Sequence, residues 1–347
     1  MFATAPDLLR LVIVPVFAWA ALRDVRTRRL PNRMWPPLYL FGLLLIAWEA
    51  VMHWPFAGFE GRLFLVQVAV SVLFVAPLGY AFWYLGAFGG ADAKALIAIA
   101  LLFPTFPTYY LTNAALPLVV TDLGVFSLTV LTNTVLIGLT YPLALGAANL
   151  ARGDRSPWMF LARPVDTSTL PERHGRLFED DEGFTRSGLD LDALRMYLRW
   201  RGKTLADVRE NAGYLRDPQS VVETHDPTDG GTHVGPATDG GPRAGDDAGD
   251  GGVPGSTNDT FAPVPDDLPD HVAADPWAAE RFLDELEGTA YGTDAETLRG
   301  GLELVAARDR VWVSPGLPFV VPMFLGLVVA LVFGDLLFAA MGAFGLV

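Results

Sequence analysis

From Leu63 to Leu96 the chain reads LFLVQVAVSVLFVAPLGYAFWYL (Leu63–Leu85) followed by GAFGGADAKAL (Gly86–Leu96). As a helix, the first part is long enough to cross a hydrocarbon core, for which roughly 20 apolar residues suffice. The second part places two glycines and a carboxylate, Asp92, where the next apolar run begins. Comparable apolar runs lie at Leu8–Leu22, Trp35–Trp54, Leu123–Leu150 and Leu317–Leu346. The segment from Ala93 to Phe103, extended by mostly apolar chain to Val120, makes a sixth. Overall, 51% of residues are hydrophobic and the mean hydropathy is +0.33, which points to a membrane protein. The expected fold is therefore an all-α polytopic membrane protein of about six transmembrane helices.

The first run has Asp7 and Arg10 as its only early charges. It lacks the cationic start and small-residue cleavage site of a secretory signal, so it is expected to be a retained helix. Cysteine is absent, which excludes disulfides, thiolate nucleophiles and cysteine zinc sites in this sequence.

Charge is concentrated in one insert, with 32 acidic against 17 basic residues from Ala151 to Trp312 in a chain whose net charge is −14. The expected domains are thus 1–150, a membrane domain of about five helices; 151–312, an acidic insert; and 313–347, a last transmembrane helix. After the first span, LRDVRTRRLPNR carries Arg23, Arg26, Arg28, Arg29 and Arg33, whereas the next loop has only Glu60 and Arg62 as full charges. Such an excess marks a cytoplasmic loop, which puts the N-terminus outside and the insert inside.

Within the insert, LDLDALRMYLRWRGKTLADVREN (Leu189–Asn211) predicts two short helices, with Leu191, Leu194 and Leu198 on one face and Thr204 as the second N-cap. It has no broad basic face, so a packing unit is expected and nucleic acid is not expected as a partner. Residues 223–270 are dominated by Gly, Asp, Pro and Thr, too little apolar surface to offset chain entropy, and are expected to be a disordered tether. Helices are predicted over Trp277–Leu286 and Glu296–Ala307, with RVWVSPGLPF extended into the last span. Lysine occurs only at Lys94 and Lys203; acid-rich, lysine-poor usage suggests adaptation to high salt.

Carboxylates at membrane depth cost about 2.5 to 3.5 kcal/mol even on lenient scales, so each needs a reason. Asp7, Glu49 and Asp122 lie near predicted external ends and are expected to reach water, Asp122 in a cap-like position after Thr121. For Asp335, inside the last run, a polar interior, a pair with Arg10 and a functional role all remain open.

Asp24 and Asp92 differ, because the topology puts both at the cytoplasmic boundary, one ending the first helix and the other starting the fourth. Two carboxyls close together cannot easily both ionise, so one keeps a proton while the other activates water. The helix dipole favours the Asp92 anion, which makes it the expected base and Asp24 the expected acid. Arg23, Arg26 and Arg28 pull Asp24 the other way. Gly89 and Gly90 would let a substrate backbone approach Asp92 and allow backbone angles closed to other residues. The plainer alternative is a glycine turn with Asp92 as helix N-cap and Lys94 snorkelling to the interface.

The combination of DVRTRRLPN (Asp24–Asn32), FGGADAKAL (Phe88–Leu96) and PGLPFVVPMFLGL (Pro315–Leu327) resembles the archaeal type IV prepilin and preflagellin (prearchaellin) peptidases, relatives of the GxGD membrane aspartyl proteases. The resemblance covers the helices and says little about the insert. It implies a catalytic pair, Asp24 and Asp92, with Gly89, Gly90, Ala91, Pro31 and Asn32 as supporting motif residues. Ala91 stands where the family has its second glycine, which would be awkward if that position needed a positive φ. The implied substrates are prepilins or prearchaellins with short cationic leaders, cut at the cytoplasmic face of the cell membrane. No metal and no cofactor are implied, and neither sequence nor resemblance fixes an oligomeric state.

Two rival classes fit a membrane chain with buried acids. A proton-coupled transporter would show repeated halves with broken helices, and no convincing internal repeat is present. A non-catalytic scaffold for pilus or archaellum assembly would tolerate loss of the aspartates but not of the insert.

Overall fold

The computed structural model describes residues 2–85, 88–180, 183–232, 275–316 and 318–346. The chain divides into two compact units, Met1–Leu161 with Leu317–Val347, and Ala162–Gly316. The first begins with α1 (Ala5–Arg10), α2 (Ile13–Thr27), α3 (Trp35–Met52), α4 (Gly58–Val70), α5 (Ala76–Tyr84) and α6 (Gly90–Leu102). A small hairpin, β1 (Tyr109–Tyr110) and β2 (Ala115–Leu116), leads to α7 (Phe126–Gly138) and α8 (Thr140–Arg152). The second unit holds β3 (Arg163–Asp166), β4 (Arg176–Leu177), α9 (Leu191–Trp200), α10 (Leu205–Glu210), α11 (Ala212–Leu215), α12 (Ala279–Asp284), α13 (Ala295–Ala307) and β5 (Arg310–Ser314). The chain re-enters the first unit as α14 (Val320–Val332) and α15 (Leu336–Ala343).

Four helical stretches among the described residues are long and apolar enough to cross a membrane: Ala5–Thr27, Asn32–Met52, Gly58–Tyr84 and Phe126–Arg152. The expected count of about six is therefore not confirmed, for two physical reasons. First, α6 has 13 residues, a length of about 20 Å at 1.5 Å per residue, against a core of about 30 Å. It is buried along most of its length, from Ala93 to Leu102, and the chain beyond it turns into the hairpin. Second, the last apolar run is broken at Gly334, whose φ is +104° and where an added Cβ would lie 1.8 Å from the Val119 carbonyl oxygen. Only glycine fits there. Val119 bonds to both sides of the break, donating to the Phe333 carbonyl at 2.8 Å and accepting from the Asp335 N–H at 3.2 Å.

The third long stretch carries a π-helical turn, Ser71–Val75. Pro77 has no N–H to give Leu73, and its ring crowds that carbonyl; the wider turn accommodates both. Ser71 in this turn donates to the Ala100 carbonyl at 2.6 Å and lies 2.7 Å from the Ser127 hydroxyl. The polar side chain is thereby satisfied where α6 and α7 meet it.

Helix α6 is the axis of the first unit, packed between α3 and α5, while α14 packs on α7 and α2. Gly42 on α3 permits the approach, since a Cβ there would come within 2.9 Å of the Leu101 backbone. Leu96, Ile99, Phe103, Phe126, Met323 and Leu327 form the buried centre.

The boundary expectations change for Asp7 and Glu49, and for Asp122 only in its capping. Asp7 and Glu49 do not reach water: both are buried and clamp the fully buried Arg10, at 2.8 Å and 2.5 Å. Arg10 also donates from Nε to the Leu102 carbonyl at 2.7 Å, capping the C-terminal end of α6. Asp335 instead caps α15, accepting from the Phe338 N–H at 2.8 Å and from the Thr129 and Thr132 hydroxyls at 2.8 Å and 3.3 Å. Asp122 is exposed but caps nothing, because α7 starts only at Phe126.

In the second unit β5 is the middle strand of an antiparallel sheet ordered β3-β5-β4. Its Val311 and Val313 point into the core with Leu177 and Val165. Leu191, Leu194 and Leu198 of α9 are buried as their spacing predicts, in one core with Leu298, Leu302 and Val305 of α13 and Phe282 of α12. Each fully buried leucine contributes about 1.5 to 3 kcal/mol. Helix α9 is thus a core helix, and α10 starts with the expected Thr204 cap, closed reciprocally by Asp207.

The tether expected over 223–270 needs revision at its start. Residues 223–232 are fastened to the unit: His225 N–H donates to the Trp200 carbonyl at 2.8 Å and Arg195 Nε to the Gly230 carbonyl at 2.6 Å. A backbone carbonyl and a guanidinium of α9 hold a segment whose composition alone predicts no order. The remainder of that segment, from 233, lies outside the described residues.

Candidate active site

Asp24 sits in the last turn of α2 and is 7% exposed. The helix stops there because Arg28 turns left-handed, φ 55°, its N–H reaching the Asp24 carbonyl at 2.9 Å. Pro31 then starts a 3-10 turn, Asn32–Met34, that leads into α3. Asp92 lies in the first turn of α6, half-buried, with Oδ2 accepting the Gly89 N–H at 3.0 Å. It is the third helical residue and Gly89 is the N-cap, so Asp92 is not itself the cap.

The two aspartates, from separate motifs, are within electrostatic reach of each other. Burial first, then the neighbouring Asp24 carboxylate, push the Asp92 carboxyl up to about 7. The Gly89 N–H, the Arg28 guanidinium and the backbone N–H of Val320 at the start of α14 pull in the other direction. No hydrogen bond joins the two carboxyls directly. Asp92, the expected base, is thus the carboxyl that holds its proton near neutrality, because burial outweighs the helix-dipole effect on which that expectation rested.

The glycines act differently from the expectation. Neither Gly89 nor Gly90 has a positive φ; Gly89 is extended and Gly90 opens the helix. At Gly89 the decisive feature is space, since a Cβ would sit 3.0 Å from Asp92 Oδ2, whereas at Gly90 the nearest atom is Trp83 Nε1 at 3.8 Å. Ala91 is an ordinary helical residue of α6, so alanine in place of glycine costs nothing in backbone geometry.

Asn32 and Lys94 meet. Lys94 Nζ donates to Asn32 Oδ1 at 2.7 Å, and the Tyr39 hydroxyl donates to the Lys94 carbonyl at 3.2 Å. Lys94 therefore does not snorkel, because a partner on the neighbouring loop holds its ammonium. Sequence reasoning missed this bond, and it missed Val320 and Phe319, whose ring packs 4.7 Å from Phe88 beside the glycines. The late PGLPF stretch was the available signal. Among the described residues no group of three or more His, Cys, Asp or Glu is arranged to hold a metal.

Residues 11–143, which include Asp24, Asn32, Gly89 and Asp92, match the type IV leader peptidase family. Residues 289–336, from the end of the second unit through α14, match the archaeal peptidase A24 C-terminus type II. The chain belongs to the type IV leader peptidase family. The two matches together take in about half of the chain and leave most of the second unit unmatched. Among curated proteins, prepilin peptidase EppA of Methanothermobacter thermautotrophicus is 30% identical over 129 residues, 35% of this chain and 31% of that protein. The match thus spans about a third of that relative's length. With several apolar helices of spanning length, this type IV leader peptidase family member is a multi-pass membrane protein.

Proposed function

We propose that the protein is a membrane-embedded aspartyl endopeptidase that removes the short cationic leader from prepilin-like or prearchaellin-like precursors. The observation that carries this is that Asp24 and Asp92, on different helices, lie within electrostatic reach, so that Asp24 together with burial raises the proton affinity of Asp92. In the reaction, the ionised carboxyl takes a proton from a water held between the pair, and the oxygen attacks the scissile carbonyl. The protonated carboxyl supports the oxygen that becomes negative, and a proton is then passed to the departing amine as the C–N bond breaks. The extended Gly89 and the missing Cβ leave room beside Asp92 for a substrate strand. The arginine excess from Arg23 to Arg33, next to Asp24, favours a cytoplasmic position for the site in the cell membrane.

The test is co-expression with a prepilin in the full-length protein. Asp24→Asn and Asp92→Asn, each alone, are expected to abolish the size shift of the precursor. Normal processing by either variant would end the protease reading in favour of a transport or scaffold role.

A further inference from the structure

The loop that follows Asp24 and the first turns of α6, which contain Asp92, are tied by polar side chains. After Asp24 the chain reverses through Arg28 and Pro31 to Asn32, which accepts from Lys94 Nζ at 2.7 Å, two residues beyond Asp92. One turn into α3, the Tyr39 hydroxyl reaches the Lys94 carbonyl at 3.2 Å. Lys94 is gripped at both its ammonium and its backbone. Most of the remaining packing between α3 and α6 is apolar, through residues such as Leu45, Leu96 and Ile99. Apolar contacts are non-directional and tolerate sliding, whereas a charge-assisted hydrogen bond fixes a distance.

We propose that Lys94, held by Asn32 and Tyr39, is a positioning residue that sets the separation of Asp24 and Asp92. This rests on the reading that the two aspartates are the working pair. Two carboxylates repel one another, and without the tie the loop that follows Asp24 relaxes away from α6. The charged groups that act on Asp92 are Asp24 from α2 and Arg28 just after it, while α14 contributes the Val320 N–H; Lys94 and Tyr39 lie beside them on α6 and α3.

The test is steady-state cleavage of a precursor peptide by the full chain in lipid, with pH profiles. Lys94→Met and Asn32→Ala should each lower kcat about tenfold with KM unchanged. The double variant should be no slower than either single one, because one bond is lost in all three. As Asp24 moves off, its repulsion no longer supports the Asp92 proton, so the upper inflection of the kcat profile should move to lower pH. Asn32→Asp, which keeps the acceptor, should restore rate and profile. Tyr39→Phe, which leaves the ammonium bond intact, should show the same direction with a smaller size, and it keeps the test open should Lys94→Met fold poorly. Additive losses in the double variant, an unmoved inflection or a change in KM alone would overturn the proposal. Its failure is separable from failure of the dyad: the former leaves Asp24→Asn and Asp92→Asn inactive, the latter leaves them active.

Discussion

Helix α6 has a cluster of acidic residues at each end, and the two clusters use the same residue types to opposite effect. At its C-terminal end Asp7 and Glu49 both bond to Arg10, which is 0% exposed and also holds the Leu102 carbonyl. At its N-terminal end Asp92 faces Asp24, with its own oxygen on a backbone N–H and one side still open. The first cluster has a cation set between its acids, which satisfies them and leaves little to react. In the second, burial and the Asp24 carboxylate raise the cost of ionising Asp92, which leaves a proton available. A buried acid becomes a brace or a reagent according to what stands between it and its neighbour.

That contrast is broken most severely by removing the reagent. Asp92→Asn should reduce processing by on the order of 10³-fold or more, measured as the rate of precursor cleavage, while Glu49→Gln should leave the rate of the folded protein near that of the parent. Equal losses in the two variants would erase the distinction. The brace is tested by stability instead. Arg10→Met leaves two carboxylates buried without their cation and should cost about 3 to 5 kcal/mol, read as a lower unfolding midpoint in detergent. Surviving protein should still cleave. A smaller effect separates the two glycines: Gly89→Ala pushes a methyl group against Asp92 Oδ2 and should lower kcat several-fold, about 1 kcal/mol. Gly90→Ala, with open space, should be close to silent.

The candidate site at the N-terminal end of α6 could be picked out in sequence because its signals are local. Asp24 lies four residues before the left-handed Arg28 and seven before Pro31, and Asp92 comes just after two glycines at the start of an apolar run, so motif and boundary coincide. The brace was not legible. Its partners are far apart in the chain, at Arg10, Glu49 and Leu102, and only the packing of α1 and α3 against α6 brings them together. Hydropathy also counted as a span what is a short buried helix, because it registers apolar character without asking whether lipid or protein supplies the surroundings. The last apolar run looked continuous for a similar reason: the break at Gly334 depends on Val119, which a window over the run does not include. In the second unit the leucine spacing of α9 and α13 was sufficient for the helices. The fastening of residues 223–232 was not foreseen, since it depends on carbonyl and guanidinium groups of a fold that composition does not describe.

The pH dependence of kcat probes proton sharing between Asp24 and Asp92 most directly. Because Asp92 is held up to about 7 by burial and by Asp24, the singly protonated pair persists below that value and is lost as pH rises through it. The account predicts a bell whose alkaline limb lies near neutrality. A profile with one carboxylate inflection and a flat plateau through neutral and alkaline pH would mean that the two aspartates titrate independently, and would contradict it.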